Sequence, residues 1–411
     1  METDKKKLIE SKTFCLIPWI HLHVMPDSSV IPCCVSPYDD LYGNGANQTL
    51  KEIWNSDRYK QLRHNMLNDI PSEGCMRCYK VENSGFDSMR TSINQRFAHC
   101  LSKIDDTKED GSFQLDGPKL DYIDIRFSNL CNFKCRGCSP ALSSSWYDDH
   151  QQLFNYKSNE KKVKSVSVES PQFWEELKEA IPNSEEIYFG GGEPLITKEH
   201  FEVLKLLEKM QKFDVRLSYN TNLAQLNYGN HNLAEIWSKF DFVKVGISID
   251  DQDARAEYFR HGTKWKVIEE NLKKLITNHP TVMRYVNCTV SIMNVYYLPE
   301  LFNKLVDTNV IDSMNFNINI LLAPDEYTIQ VLPAHLKLMV REKLSAFKNE
   351  LINRGPLFIK AANDFENIIT FMDENDRSDL LNVFKEHTLK LDSIRNENFA
   401  ATFPELRELV N

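Results

Sequence analysis

Apolar and polar positions alternate along this chain with two periods. From about residue 120 to about residue 320, short stretches of period two are separated by stretches with helical spacing. Six strands are predicted, at 120–127, 186–190, 214–220, 242–249, 285–292 and 313–320, with helices at 199–212, 253–278 and 297–308. Strands alternating with helices give parallel β/α units, and six of them make a partial barrel. In such barrels chemistry sits at the carboxyl ends of the strands. The alternation also sorts side chains by face. Tyr122, Asp124, Arg126 and Ser128 oppose Ile123, Ile125 and Phe127; Ser218, Asn220 and Asn222 oppose Leu217, Tyr219 and Thr221. Asn287, Thr289 and Ser291 oppose Val286, Cys288, Val290 and Ile292; Asn315, Asn317 and Asn319 oppose Met314, Phe316, Ile318 and Ile320. The apolar faces meet helices, so the polar faces line the lumen. A closed barrel fills its lumen with branched apolar residues. A polar lumen suits a polar ligand, the alternative being a hydrated core.

Before the barrel, Ile20, Leu22 and Val24 alternate with His21, His23 and Met25, a half-buried strand. Pro26-Asp27-Ser28-Ser29 turns the chain and Val30-Ile31 returns it, so a hairpin brings Cys15 and the Cys33/Cys34 pair to one end. His21 and His23 read as the exposed face of that strand or as partners of backbone groups, with a ligand role as the alternative. A helix runs from Leu50 through Met66, and residues 101–118 are a polar, turn-rich linker. After Pro324 the chain is helical, with segments at 333–353, 357–373 and 377–394. The expected organisation is a small α+β domain over 1–100, the linker, an α/β partial (β/α)6 TIM-like barrel over 119–332, and a helical tail over 333–411.

Composition narrows the class. The 411 residues are 42 % hydrophobic, enough for a real core, and the net charge of −10 argues against charge-driven nucleic-acid binding. No stretch approaches the roughly 20 apolar residues of a membrane span, and the N-terminus has no signal-peptide pattern. A cytoplasmic protein is expected. Its ten cysteines then stay reduced, and grouped cysteines read as metal sites.

Eight of the ten are grouped. Cys131, Cys135 and Cys138 have the spacing C-x3-C-x2-C after the first barrel strand; Cys75 and Cys78 form a C-x2-C knuckle, to which Cys15 and one of Cys33/Cys34 add two ligands. Three thiolates on one loop leave a four-iron cluster with an open iron, whereas four close it. Zinc is the alternative at both places. Cys288 points toward the helices as a packed core thiol.

The cysteine loop, together with Gly190-Gly191-Gly192-Glu193-Pro194 after the second strand, resembles the radical S-adenosylmethionine (SAM) superfamily. The first hundred residues resemble the twitch domain, the shorter relative of the SPASM domain, placed here ahead of the barrel. One departure is Gly137, where many members carry an aromatic residue near the adenine; another is Ser28 or Ser29 in place of a turn glycine. The resemblance implies two [4Fe–4S] clusters: a SAM-binding one on Cys131, Cys135 and Cys138, and an auxiliary one on Cys15, Cys33, Cys75 and Cys78, with Cys34 as the alternative to Cys33. It implies SAM contacts from Gly190, Gly191, Gly192 and Glu193, a segment that receives the amino group, and from Ser218, Asn220, Asn222, Ser248, Asp250 and Arg260. For Asp250 and Asn222 helix capping is the alternative, and for Arg260 a salt bridge.

The activity so implied is reductive SAM cleavage to a 5′-deoxyadenosyl radical that takes a hydrogen atom from a polar substrate. That substrate is a peptide side chain or a small molecule such as a sugar, facing Asn287, Asn315, Asn317 and Asn319. Oxidation is the first expectation; a donor thiol, if one is needed, would be Cys34 or Cys100. A flavodoxin- or ferredoxin-like electron donor is the implied partner. The competing class is a non-catalytic iron–sulfur or zinc protein acting through partners.

Overall fold

The computed structural model describes residues 8, 10–83, 87–112 and 120–411. These form two compact units, Met1–Asn129 with Val163–Ser218, and Leu130–Lys162 with Tyr219–Asn411. Residues 113–118 of the expected linker lie outside the described residues, and its beginning is a 3-10 helix, Ala98–Asp106, that buries Leu101 and Ile104.

The first unit holds β1 (His21–Val24), β2 (Ser29–Ile31), β3 (Gly43–Asn44), β4 (Tyr122–Ile125), β5 (Glu186–Phe189) and the start of β6 (Arg216–Thr221), in the order β3-β2-β1-β4-β5-β6. The expected hairpin is β1 and β2, paired antiparallel. β1 also pairs in parallel with β4, His21 opposite Tyr122 and His23 opposite Asp124, and β4 pairs in parallel with β5. Leu22, Val24, Ile123, Ile125, Ile187 and Phe189 are completely buried. The opposite face is buried too, which corrects the expectation of exposed histidines: His21 and His23 are 0 % and 1 % exposed. Strands in parallel pairing, as β1 is with β4, are usually covered on both faces, and alternation alone does not tell a solvated face from a polar interior.

Ser28 occupies the turn position with φ of +66°, where glycine is the usual residue. Its hydroxyl is buried without a partner. Ser28→Gly is therefore expected to stabilise the protein by about 0.5–1 kcal/mol. Ser29→Gly, whose hydroxyl donates to Asp27, is expected to weaken it; urea midpoints of the two variants separate these outcomes.

The single helix expected over 50–66 is two, Leu50–Trp54 and Asp57–Leu67. Ser56 interrupts it by accepting from Tyr59 N, so its hydroxyl caps a new helix instead of continuing the old one.

The second unit holds the rest of β6, a short hairpin of β7 (Asn227–Tyr228) and β8 (His231–Asn232), then β9 (Val243–Ser248), β10 (Met283–Val290) and β11 (Phe316–Ile320). Its sheet order is β6-β9-β10-β11, and β10 runs parallel to both β9 and β11. The helix expected over 253–278 is likewise two, α2 (Asp253–Phe259) and Trp265–Asn278, taking α1 as Trp146–Phe154. The break contains Gly262, at φ +104°; a Cβ there would meet Asn132 O at 2.9 Å. The chain leaves the helix so that 259–261 can lie against the cysteine loop. The tail forms Ala334–Arg354, Ile359–Glu374 and α3 (Leu381–Arg395). Among the described residues, no helix is long and apolar enough to cross a membrane.

Burial also sets a pH dependence. Desolvation pushes the imidazoles of His21 and His200 down from 6.5 to about 3. A depressed histidine binds protons in the unfolded chain before the folded one. Its contribution is complete above about pH 6.5 and is lost as pH falls toward about 3, on the order of 1 kcal/mol per pH unit for each histidine. Urea midpoints taken anaerobically from about pH 7 to about pH 5 should fall steadily, and His200→Leu should flatten that slope.

Candidate functional site: two thiol groups and a buried polar face

All ten cysteines are free thiols. In the first unit, Cys15, Cys33, Cys75 and Cys78 form one electrostatic group. Burial drives the Cys15 thiol well above its ordinary range, with Cys75, Cys33 and Cys78 adding to the shift. Cys33 is pushed up to about 12 by burial, opposed by the Val35 and Ser36 backbone and reinforced by Cys75 and Cys78. Burial and Cys78 raise Cys75 to about 11. The desolvated thiols of Cys15, Cys33 and Cys75 do not ionise alone; a metal centre that displaces their protons does that, and backbone N–H groups near the sulfurs suit a cluster. Burial raises Cys34 too, with Cys33 adding to the shift and Asp124 its strongest charged neighbour.

That neighbour belongs to a buried polar face spread over β1, β4 and β5. His23 Nδ1 lies 3.1 Å from Asp124 Oδ2, and Arg126 Nε lies 3.2 Å from Asp124 Oδ1. Burial disfavours the Asp124 carboxylate, but Arg126 and His23 outweigh it and hold it at about 2. The Arg126 guanidinium sits 5.2 Å over the Tyr188 ring. His21 stacks on Tyr122 at 4.5 Å; its Nδ1 meets Tyr122 O at 3.0 Å and its Nε2 is buried without a partner. Gly190 is required here: a Cβ would fall 1.9 Å from Arg126 Nη1. Gly191, at φ +106°, packs on the Arg126 backbone, and Gly192 N donates to Ser128 O at 3.0 Å. Glu193 caps the turn after it, accepting from Leu195 N at 3.1 Å. Ser218 donates to Glu186 at 2.9 Å. Cys100, the other candidate donor, is buried beside exposed His99 and Glu185, three metal-capable groups within 4.8 Å of one another.

In the second unit, Cys131, Cys135 and Cys138 are partly exposed on one loop. Burial raises Cys138 to about 12, with Cys135 the next cause. Cys135 is raised by burial and pulled back by Arg260. Arg260 Nη1 donates to Cys135 Sγ at 3.7 Å, while its Nε lies 2.7 Å from Asp250 Oδ2. Asp250 Oδ1 also accepts from Thr289 N at 2.7 Å. Asp250 and Arg260, expected as SAM contacts, thus pair with each other, and Arg260 reaches a ligand sulfur. Asn222 donates to Asn132 in the loop at 2.9 Å and caps Ala224 N with its oxygen. The space beside Gly137 is filled by Leu321 and Phe259: a Cβ would meet Leu321 Cδ1 at 3.1 Å and Phe259 Cζ at 3.6 Å.

The lumen-facing amides of this unit bond to one another. Asn220 Oδ1 accepts from Asn287 Nδ2 at 2.7 Å and from Tyr285 OH at 3.2 Å; Asn317 Nδ2 lies 3.5 Å from Asn287 Oδ1. Gly246 of β9 makes room, since a Cβ there would lie 2.4 Å from Asn220 Oδ1. Ser248 sits opposite Asn287 in the β9–β10 register, and Asn319 opposite Thr289 in β10–β11. Asn315 stands apart, before β11, where it donates to Asp312 at 2.7 Å. Cys288 is completely buried, its thiol 3.8 Å from Asp250 O.

Two thiol groups on a largely parallel α/β sheet mark a metal-binding protein. Residues 125–299 match the Radical SAM superfamily model, and residues 15–79 match SPASM, an iron–sulfur cluster-binding domain. The chain thus carries a radical SAM domain, with a SPASM domain ahead of it. The radical SAM domain implies a [4Fe–4S] cluster and SAM, and the SPASM domain implies further iron–sulfur ligation. Among curated proteins the chain is 22 % identical over 162 residues to GTP 3′,8-cyclase of Campylobacter lari, covering 39 % of this chain and 42 % of that protein. It is 27 % identical over 133 residues to the GTP 3′,8-cyclase of Nautilia profundicola, covering 32 % and 36 %. The chain spans less than half the length of these curated relatives. Among solved structures, native anSMEcpe with bound AdoMet has a TM-score of 0.38 at 17 % identity, covering 61 % of each chain. Streptococcus suis SuiB bound to S-adenosylmethionine has a TM-score of 0.37 at 14 % identity, covering 67 % of this chain and 58 % of that one.

Proposed function

We propose that the protein is a radical SAM enzyme with two [4Fe–4S] clusters that oxidises a neutral, polar substrate. Cys131, Cys135 and Cys138 would hold the cluster that binds SAM, and Cys15, Cys33, Cys75 and Cys78 the auxiliary one. When bound, the first cluster and SAM supply the reductive cleavage that yields methionine and a 5′-deoxyadenosyl radical able to take a hydrogen atom from carbon. The observation that carries the reading is the Arg260 N–H directed at the sulfur of Cys135, which is the outer contact an anionic cluster ligand needs. The Gly190–Glu193 segment keeps the SAM amino-group role on the family pattern alone.

The chain's own groups bear on the rest. The Asn220–Asn287–Asn317 amides hydrogen-bond without charge, which favours a ligand with hydroxyls or amides, a sugar or a peptide segment. The partner cysteines, being four, leave no open iron, so the auxiliary cluster suits electron uptake.

Anaerobic reconstitution followed by iron and sulfide counting tests the two clusters. About eight irons per chain are expected; about four would remove the auxiliary cluster from the reading. Incubation with dithionite and SAM should give 5′-deoxyadenosine, and none would leave a non-catalytic metalloprotein. Deuterium transfer into 5′-deoxyadenosine from labelled sugars and peptides then identifies the substrate class.

A further inference from the structure

Within the second unit, the cysteine loop is held by α3 and the residues just after it through charges that cross in both directions. Two cations of the loop reach carboxylates. Lys134 Nζ donates to Asp149 Oδ1 of α1 at 2.8 Å. Arg136, between Cys135 and Cys138 and fully buried, donates through Nη2 to Asp392 Oδ1 of α3 at 2.6 Å and to Glu397 Oε2 at 2.7 Å. In return, Arg395 of α3 donates to Asp149 Oδ2 at 2.8 Å. Three cations therefore meet three carboxylates.

The surrounding groups complete the arrangement. Tyr258 donates to Asp392 Oδ1 at 2.7 Å, and its ring lies 3.9 Å under the Arg136 guanidinium. His261 Nδ1 lies 2.5 Å from Glu397 Oε1. Lys134 N donates to His261 O at 2.9 Å, and Arg136 N to Phe259 O at 2.8 Å. The Arg395 guanidinium covers the Trp146 ring at 4.5 Å, and Trp146 Nε1 donates to Cys135 O at 2.6 Å. Trp146, Leu153 and Leu391 form an apolar cluster against which Cys138 packs. Arg136 Nε and Nη1 and Arg395 Nη1 and Nη2 are buried with no protein acceptor.

A tail serving fold stability alone would not need charges. Buried ion pairs add little net stability over apolar packing of equal volume, and here they converge on a loop that carries three ligand cysteines. Arg136, carried by the loop between two of those cysteines, and Arg395, over Trp146, bring two buried guanidinium charges beside it. That suits an anionic cluster, whose potential follows nearby charge and hydrogen bonding.

We propose that Asp392, Glu397 and Arg395 of the C-terminal region are positioning residues for the SAM-binding cluster: through Arg136, Trp146 and Asp149 they fix its ligand loop and set its reduction potential. This rests on the cluster assignment made above. Removing a nearby anion favours the more negative, reduced cluster, and removing a nearby cation disfavours it.

The test uses the full chain with both clusters reconstituted. The SAM-binding cluster is followed by the change in its electron paramagnetic resonance spectrum on adding SAM, during a redox titration. Asp392→Asn and Glu397→Gln are expected to raise its midpoint potential, Arg136→Gln to lower it, and Asp392→Glu to stay near wild type. Shifts of opposite sign are not produced by loosened packing. Unchanged potentials in Asp392→Asn and Glu397→Gln, with a normal SAM response in wild type, overturn the inference while leaving the cluster assignment intact. A wild type whose iron–sulfur signal ignores SAM overturns the assignment and this inference with it.

Discussion

Replacing Cys135 with Ala is expected to abolish SAM cleavage, lowering 5′-deoxyadenosine formation at least about a thousandfold while leaving the auxiliary cluster loaded. Two thiolates do not hold a four-iron cluster, and without that cluster there is no reductant in contact with SAM. The structure also says what the substitution leaves behind. Arg260 loses the sulfur it reaches at 3.7 Å but keeps Asp250 at 2.7 Å, so the surrounding protein should stay folded. The measurement is paired: 5′-deoxyadenosine by chromatography, and iron per chain, expected to fall from about eight to about four. A Cys135→Ala protein that cleaves SAM at the wild-type rate would falsify the assignment of the open cluster.

The second large effect is expected in stability. Asp124→Ala should cost about 3–5 kcal/mol, because it strands the buried Arg126 charge and leaves the nearby His23 without its carboxylate. The same carboxylate contributes to acid sensitivity. Its folded pKa of about 2 lies below the ordinary 3.8, so it binds protons later in the folded state. Its contribution, on the order of 2 kcal/mol, is complete above about pH 4 and is lost as pH falls toward about 2. Urea titration at neutral pH measures the first effect; the low-pH limb of the stability profile, flattened in Asp124→Ala, measures the second.

Much of the sheet was legible in the residues. All six expected strands coincide with observed ones to within a few residues, since alternation over β4, β6, β10 and β11 is set by a sheet with one apolar side. The C-x3-C-x2-C loop was legible because metal ligands close together in sequence declare themselves. What stayed hidden depends on distant partners. The burial of His21 and His23 follows from β1 pairing with β4, about a hundred residues on, and the local pattern carries no trace of that. Arg260 and Asp250 read as SAM contacts by resemblance, with a salt bridge the alternative for Arg260; that Asp250 is its partner is a tertiary fact. The close approach of Asn220 and Asn287 across β9 needs Gly246, whose absent Cβ would lie 2.4 Å from Asn220 Oδ1, and no local pattern announces that. The break after Phe259 had a signal in Gly262, whose role needed the position of the cysteine loop to be understood. The tail's charges were visible only as a nearly balanced count until Arg136 gave them a destination.

The parallel pairing of β1 with β4 has a consequence for how this protein can be taken apart. An iron–sulfur module placed ahead of a catalytic domain invites deletion or transplantation as a self-contained cassette. Here the cassette supplies a strand to the sheet of its neighbour. Removing it would bare the hydrogen-bonding edge of β4 and uncover Asp124, and unprotected edges of that kind recruit other chains. The two parts are interdependent by construction, and chimeras cut between them should be recovered as aggregates even when every cysteine is present.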